Sequence, residues 1–170
     1  MKKIVLIVVK LMLILQFQFT NVRDDELNII PEFIEWISDQ IFQYINTSIN
    51  RKKIQLRINY LYQVKWIDWI NTRYIDTQSI MEAIYNSFTY KQRKDNTWII
   101  EIDNNIKIPN TYTSIGKLIR FLNSGDINLK GTGMFTAASK HFNHKKLNNL
   151  WQIFAMRTLG SMTKVKIIAE

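Results

Sequence analysis

The spacing of apolar residues changes along this chain, and that change limits the fold more than any other feature. Ile34, Ile37, Ile41 and Ile45 recur at helical intervals, with Glu32, Glu35, Asp39 and Gln43 on the opposite side. Residues from about Pro31 to Thr47 therefore read as an amphipathic helix. Further on, Phe88 and Tyr90, then Trp98, Ile100 and Ile102, then Ile106 and Ile108 alternate with their neighbours, interrupted by Lys94-Asp95-Asn96 and Asn104-Asn105. That is the pattern of a β-meander over residues 87–108. No repeat, linker or low-complexity tract divides the chain. The expectation is one compact α+β domain over residues 1–170, an antiparallel sheet packed with several amphipathic helices.

The remaining elements follow from caps and breakers. Asp24-Asp25-Glu26 opens a helical region with three acids where the helix dipole favours them. Ser79 and Glu82 have capping-box spacing, with Asp76 and Thr77 as competing caps, for a short helix from about Asp76 to Tyr85. Thr113 or Ser114 caps a helix whose stripe is Ile115, Leu118, Ile119 and Leu122, ending at Gly125. After Gly131 and Gly133 a helix begins near Met134. A second carries Leu147, Leu150, Trp151 and Phe154 and stops at Gly160, and Thr163–Ile168 reads as a last strand. Between Ile54 and Trp66 every even-numbered residue is apolar or aromatic, while the odd ones are polar except Leu61. Period two predicts a strand there, its even side chains on one buried face.

Residues 1–20 carry three readings. Lys2 and Lys3 before an apolar run resemble the start of a signal peptide or membrane anchor. Lys10 interrupts that run, Gln16 and Gln18 follow, and no small-x-small cleavage site appears. The run Ile4–Phe19 falls short of the ~20 apolar residues that span a bilayer. One or two buried strands is the favoured reading, with an amphipathic interfacial helix as a third. Any membrane contact would be made through this segment.

Charge is distributed unevenly. Residues 1–90 hold ten basic and nine acidic side chains, whereas residues 91–170 hold thirteen and five, so +1 and +8 make up the net +9. From Ile127 to Ala169 seven Lys and Arg residues occur without one acid. Ile, Lys and Asn together make up 60 of 170 residues, a mark of an A/T-rich genome, but codon bias would act on both halves alike. A one-signed region concentrates anions and is the footprint of a polyanion partner. Lys117, Arg120, Lys130, Lys140, Lys145, Lys146 and Arg157 are the candidate contacts to nucleic acid or to an acidic partner subunit. Lys117 and Arg120 lie opposite an apolar stripe, and an acid-free set of this kind resists burial.

Catalytic chemistry finds little support. With no cysteine, thiol nucleophiles, disulfide scaffolds and Cys-ligated metals are excluded. Glu101 and Asp103 share a strand face near Asp95 and Lys107, the beginning of a metal-dependent nuclease site and no more. His141 and His144 at i, i+3 are too few for zinc. Lys130-Gly131-Thr132-Gly133 before a helix has phosphate-loop character without either glycine-rich signature. Trp66, Trp98 and Trp151 sit on apolar faces and read as core rather than base-stacking residues. No catalytic residue, metal or cofactor is implied. The expectation is a non-enzymatic basic structural or accessory subunit of a large assembly, a phage virion or other nucleoprotein particle. A secreted or membrane-anchored domain is the alternative, and a nuclease the minor one.

Overall fold

The computed structural model describes residues 13–64 and 76–169. In chain order the elements are β1 (Leu13–Thr20), α1 (Asp24–Leu27), α2 (Ile30–Ile45), α3 (Ser48–Gln63), α4 (Thr77–Ser87), β2 (Phe88–Gln92), β3 (Thr97–Ile102), α5 (Ile115–Ser124), α6 (Met134–His141), α7 (His144–Leu159) and β4 (Lys166–Ala169). The four strands form one antiparallel sheet in the order β2-β3-β1-β4. The described residues are 55% helical, and the α+β class stands as a single compact domain.

β1 is an inner strand, paired with β3 through Phe17↔Trp98 and with β4 through Phe19↔Ile167. Leu15, Phe17 and Phe19 share one buried face, and a register shift between Leu13 and Leu15 buries Ile14 as well. Within residues 1–20, the described part is thus a strand of the sheet, and residues 1–12 lie outside the described residues. No helix among the described residues is long and apolar enough to cross a membrane. Over the sheet, Phe19 meets Phe33 of α2 and Trp151 of α7 edge-on, with centroids 5.9 and 5.4 Å apart. Phe33 and Trp151 meet each other at 5.0 Å. Large rings in edge-to-face geometry weld sheet and helices into one core.

α2 forms as its stripe dictates. Ile34, Ile37, Ile41 and Ile45 are all buried, and Pro31 occupies the first turn, where its missing N–H costs nothing. The helix ends at Ile45, and Thr47 caps the next one.

Two expectations fail. Ile54–Gln63 is not a strand but most of helix α3, whose buried residues are Ile54, Ile58 and Leu61. These lie at i, i+4 and i+7, a helical stripe hidden inside the alternation. Thr47 caps the helix by accepting the Asn50 N–H at 3.1 Å, and Gln55 bonds Asn59 one turn on. The apparent period arises because Leu56 is exposed and Tyr60 stacks on Phe121 of α5, parallel at 6.0 Å. Lys65 and Trp66 lie outside the described residues.

The meander is also shorter than expected. β2 and β3 form its hairpin, with Asp95 and Asn96 both at positive φ in the tight turn. Ile106 and Ile108 add no third strand. Asp103 Oδ1 accepts the Asn105 N–H at 2.8 Å, and the chain then folds back on itself, leaving a single bridge between Lys107 and Ser114. β1 and β4 complete the sheet instead. The short helix from Asp76, the Ser114-capped helix ending at Gly125, the two helices between Met134 and Gly160 and the final strand all form.

Candidate functional site

The seven candidate bases occupy four places. Lys117 and Arg120 lie on α5, Lys130 in the loop after it, Lys140 near the end of α6, and Lys145, Lys146 and Arg157 on α7. Lys117, Lys130, Lys140, Lys145 and Arg157 are exposed, while Arg120 and Lys146 are half-buried. Arg120 departs from the expectation because α5 is buried around most of its girth, Gly116 and Phe121 included. Its Nε is enclosed without a hydrogen-bond partner. None of Arg120, Lys130, Lys140, Lys145, Lys146 and Arg157 forms an ion pair with a described residue.

The structure adds bases that half-chain arithmetic concealed. α3 carries Arg51, Lys52, Lys53 and Arg57 and no acid. In the charge sum these are cancelled by the acids of residues 24–39, which lie on other helices. Arg57 donates from Nη2 to the Lys130 carbonyl at 3.0 Å and from Nη1 to the Lys53 carbonyl at 3.3 Å, so α3 and the Lys130 loop are one surface. Tyr60 strengthens that seam by donating to Asp126 Oδ2 at 3.2 Å. The other Asp126 oxygen already accepts the Asn128 and Leu129 N–H groups. At its far end α6 packs on α2, where His141 stacks on Tyr44 at 4.5 Å.

α7 stands apart. Lys145 and Lys146 sit in its first turn, where the helix dipole already adds positive potential. Arg157 lies about eleven residues on, so about 17 Å along the axis. Arg157 and the lysine pair are two sites, not one patch. Lys164 and Lys166 border a cavity of about 330 Å³ with Asn148 and Gln152 beside β4, extending the basic character to the sheet edge.

The phosphate-loop reading of residues 130–133 does not survive. Asn123 Oδ1 accepts the Phe135 and Thr136 N–H groups at 3.1 and 3.0 Å, and Thr132 Oγ1 accepts that of Met134. The donors a phosphate would need at the start of α6 are taken by the protein itself. Gly131 is there for close approach, since a Cβ would lie 2.2 Å from the Asn123 carbonyl oxygen. Glu101 pairs with Lys91 at 3.2 Å and Asp103 holds its turn, and no group of three metal-ligating side chains gathers among the described residues. His141 ends α6 and His144 begins α7, so they share no helical face. Trp98 and Trp151 are core, and Trp66 lies outside the described residues.

Sequence reading also missed a buried polar network. Glu26 is fully buried, accepts the Arg23 N–H at 2.9 Å, and pairs with its guanidinium at 3.3 Å. The Thr163 hydroxyl donates to the other Glu26 oxygen and accepts from Trp151 Nε1 and the Val165 N–H, each at 3.1 Å. With both carboxylate oxygens and the Thr163 hydroxyl bonded, this network ties α1 to α7 and to the segment leading into β4 and is structural. No family model, curated protein or solved structure gives a significant match to this chain.

Proposed function

We propose that this protein is a non-enzymatic accessory subunit of a nucleoprotein assembly, such as a phage virion, and that its basic surface meets the phosphate backbone. The observation that carries the reading is the union of two acid-poor regions. Arg57 bonds the Lys130 loop, so the four bases of α3 and Lys130 form one surface, and Lys145, Lys146 and Arg157 on α7 add further basic sites. Exposed bases such as Lys52, Lys53, Lys130, Lys140 and Lys145, none of them ion-paired with a described residue, suit sequence-independent contact with phosphates, where each neutralised charge releases counterion. The carboxylates that would begin a nuclease site are engaged in the fold instead.

Titration of fluorescent single- and double-stranded oligonucleotides at several salt concentrations tests it. Association should weaken steeply with salt and depend little on base sequence. Lys145→Ala with Lys146→Ala should flatten the logarithmic salt slope by about one to two units. An acidic protein partner in place of nucleic acid would leave no binding to either oligonucleotide at the lowest salt, and that result would overturn the nucleic-acid reading.

A further inference from the structure

The two edges of the sheet are treated differently. At β4, Asn148 of α7 turns its amide onto the outer edge, its Oδ1 accepting the Ile167 N–H and its Nδ2 donating to the Ile167 carbonyl, both at 2.8 Å. A side chain there takes the place of a neighbouring strand. At β2 nothing among the described residues does so. The Arg93 N–H bonds the Thr97 carbonyl at 2.8 Å and the Asp103 N–H bonds the Ser87 carbonyl at 2.7 Å. Antiparallel alternation then places Lys91 and Thr89 in bonded pairs with β3 and turns both polar backbone groups of Tyr90 outward. The Gln92 backbone and the Phe88 carbonyl point the same way, while the Phe88 N–H bonds the Tyr85 carbonyl as the cap of α4.

Beside that open edge, on the helix side, lies a cavity of about 240 Å³ lined by Glu35, Ser38 and Asp39 of α2, Tyr85 of α4, and Tyr90. It shares Asp39 and Tyr85 with a larger one of about 560 Å³ between α2 and α4, to which Glu82 contributes. Glu35, Asp39 and Glu82 form no ion pair with any described residue. Asp39 accepts the Tyr85 hydroxyl at 2.9 Å, and Glu82 accepts from Gln78. No described Lys or Arg lines either cavity, and Arg51 is held by Asn46 and Gln78. Ser38 is more than nine-tenths buried, and its hydroxyl has no hydrogen-bond partner. In a chain of net charge +9, three carboxylates with no ion pair to a described residue thus gather around tyrosines, next to a strand edge that no described residue pairs.

We propose that the β2 edge and this groove are a strand-addition site for an extended basic segment of a protein partner. The partner's backbone pairs with Tyr90 and its neighbours. Its alternate side chains face the helix side, where a lysine or arginine enters between Glu35 and Asp39. The tyrosine rings line its path and attract the cation. An ammonium also brings three donors, enough for the two carboxylates and for the unpartnered Ser38 hydroxyl. Charge selects the occupant, because a polyanion is repelled from this groove. The site is therefore distinct from the basic surface and stands whether or not that surface meets nucleic acid.

The test uses the full chain and an acetylated, fluorescent nonapeptide of alternating Lys and Thr, with a twin of the same sequence N-methylated along its backbone. Anisotropy should show binding of the first peptide and at least tenfold weaker binding of the twin, which keeps the charge but cannot donate to a strand edge. Glu35→Gln with Asp39→Gln should weaken the first peptide at least tenfold, and Lys145→Ala with Lys146→Ala should leave it unchanged. No binding would overturn the proposal. Equal binding of the two peptides would also overturn it, reducing the groove to plain electrostatics. Self-association in sedimentation velocity that Glu35→Gln with Asp39→Gln abolishes would replace the basic partner by a second copy. The twin-peptide comparison uses the unaltered protein, so it does not depend on a variant folding.

Discussion

Helices α2 and α3 follow one another, each sixteen residues long, yet they are built for different purposes. α2 buries eight side chains, among them Phe33 and four isoleucines of one stripe, and gives its outer face to Glu32, Glu35 and Asp39. α3 buries three, Ile54, Ile58 and Leu61, and gives much of the rest to Arg51, Lys52, Lys53 and Arg57. A helix held by a wide stripe anchors the core. One held by a narrow stripe is free to carry a charged surface, and acid is sorted to the first while base is sorted to the second.

Truncation in α2 should do the greatest damage. Phe33→Ala removes a ring packed against Phe19, Trp36, Trp151 and Phe154, and it should cost about 3–5 kcal/mol in chemical denaturation. If the loss is below about 1 kcal/mol, the aromatic cluster does not hold sheet and helices together.

Within α3 the contrast lies between neighbours. Ile58→Ala should cost about 2–4 kcal/mol, as for a core isoleucine, whereas Leu56→Ala, 67% exposed, should stay within about 0.5 kcal/mol. A strand with even residues inside would make both costly. Equal losses would restore the alternating reading and break the comparison.

How far the sequence could be read follows the same division. α2 was legible because its stripe is continuous and polar residues fill the other side. α5 was legible for that reason too, and because Ser114 and Gly125 bracket it. α3 was not: its exposed leucine and its tyrosines obscure a three-residue stripe, and only packing against α5 reveals which apolar side chains are inside. Ile106 and Ile108 misled in the same way, since local alternation cannot tell a strand from a chain folding back beside Ser114. Of the candidate surface, exposure of Lys117 could be read from its stripe, and that of Lys130, Lys140, Lys145 and Arg157 from the want of acids to bury them against. The four bases of α3 could not, because their join to Lys130 is a contact 73 residues away in sequence. The Glu26–Thr163 network was equally invisible, its partners being 137 residues apart.

Capping gives a smaller, pH-dependent effect. Asp76 caps α4 by accepting the Ser79 N–H at 2.7 Å, and that backbone hydrogen bond, chiefly, lowers its pKa below the usual 3.8. A depressed carboxylate contributes stability above its unfolded pKa and loses it as pH falls through the folded value. Thermal melts of the wild type and Asp76→Asn should therefore run in parallel from pH 7 to pH 5. Asparagine also caps but does not titrate, so the wild type should lose ground to the variant below about pH 4. Parallel melts down to pH 2 would remove Asp76 from the capping role.

The smallest effect on stability belongs to Lys52→Ala with Lys53→Ala, and it separates the two helices most cleanly. Both side chains are exposed on α3 and neither forms an ion pair with a described residue, so the double variant should fold within about 0.5 kcal/mol of the wild type. Alanine is also the better helix former, which offsets what little is lost. If α3 belongs to the phosphate-binding surface through the Arg57 bridge, the same variant should flatten the salt dependence of oligonucleotide binding by about one to two units. Glu32→Gln with Glu35→Gln on α2 should leave that slope where it is. A steep slope unchanged by the α3 variant would confine the interface to the C-terminal half, and the division of labour between the two helices would then be one of charge alone.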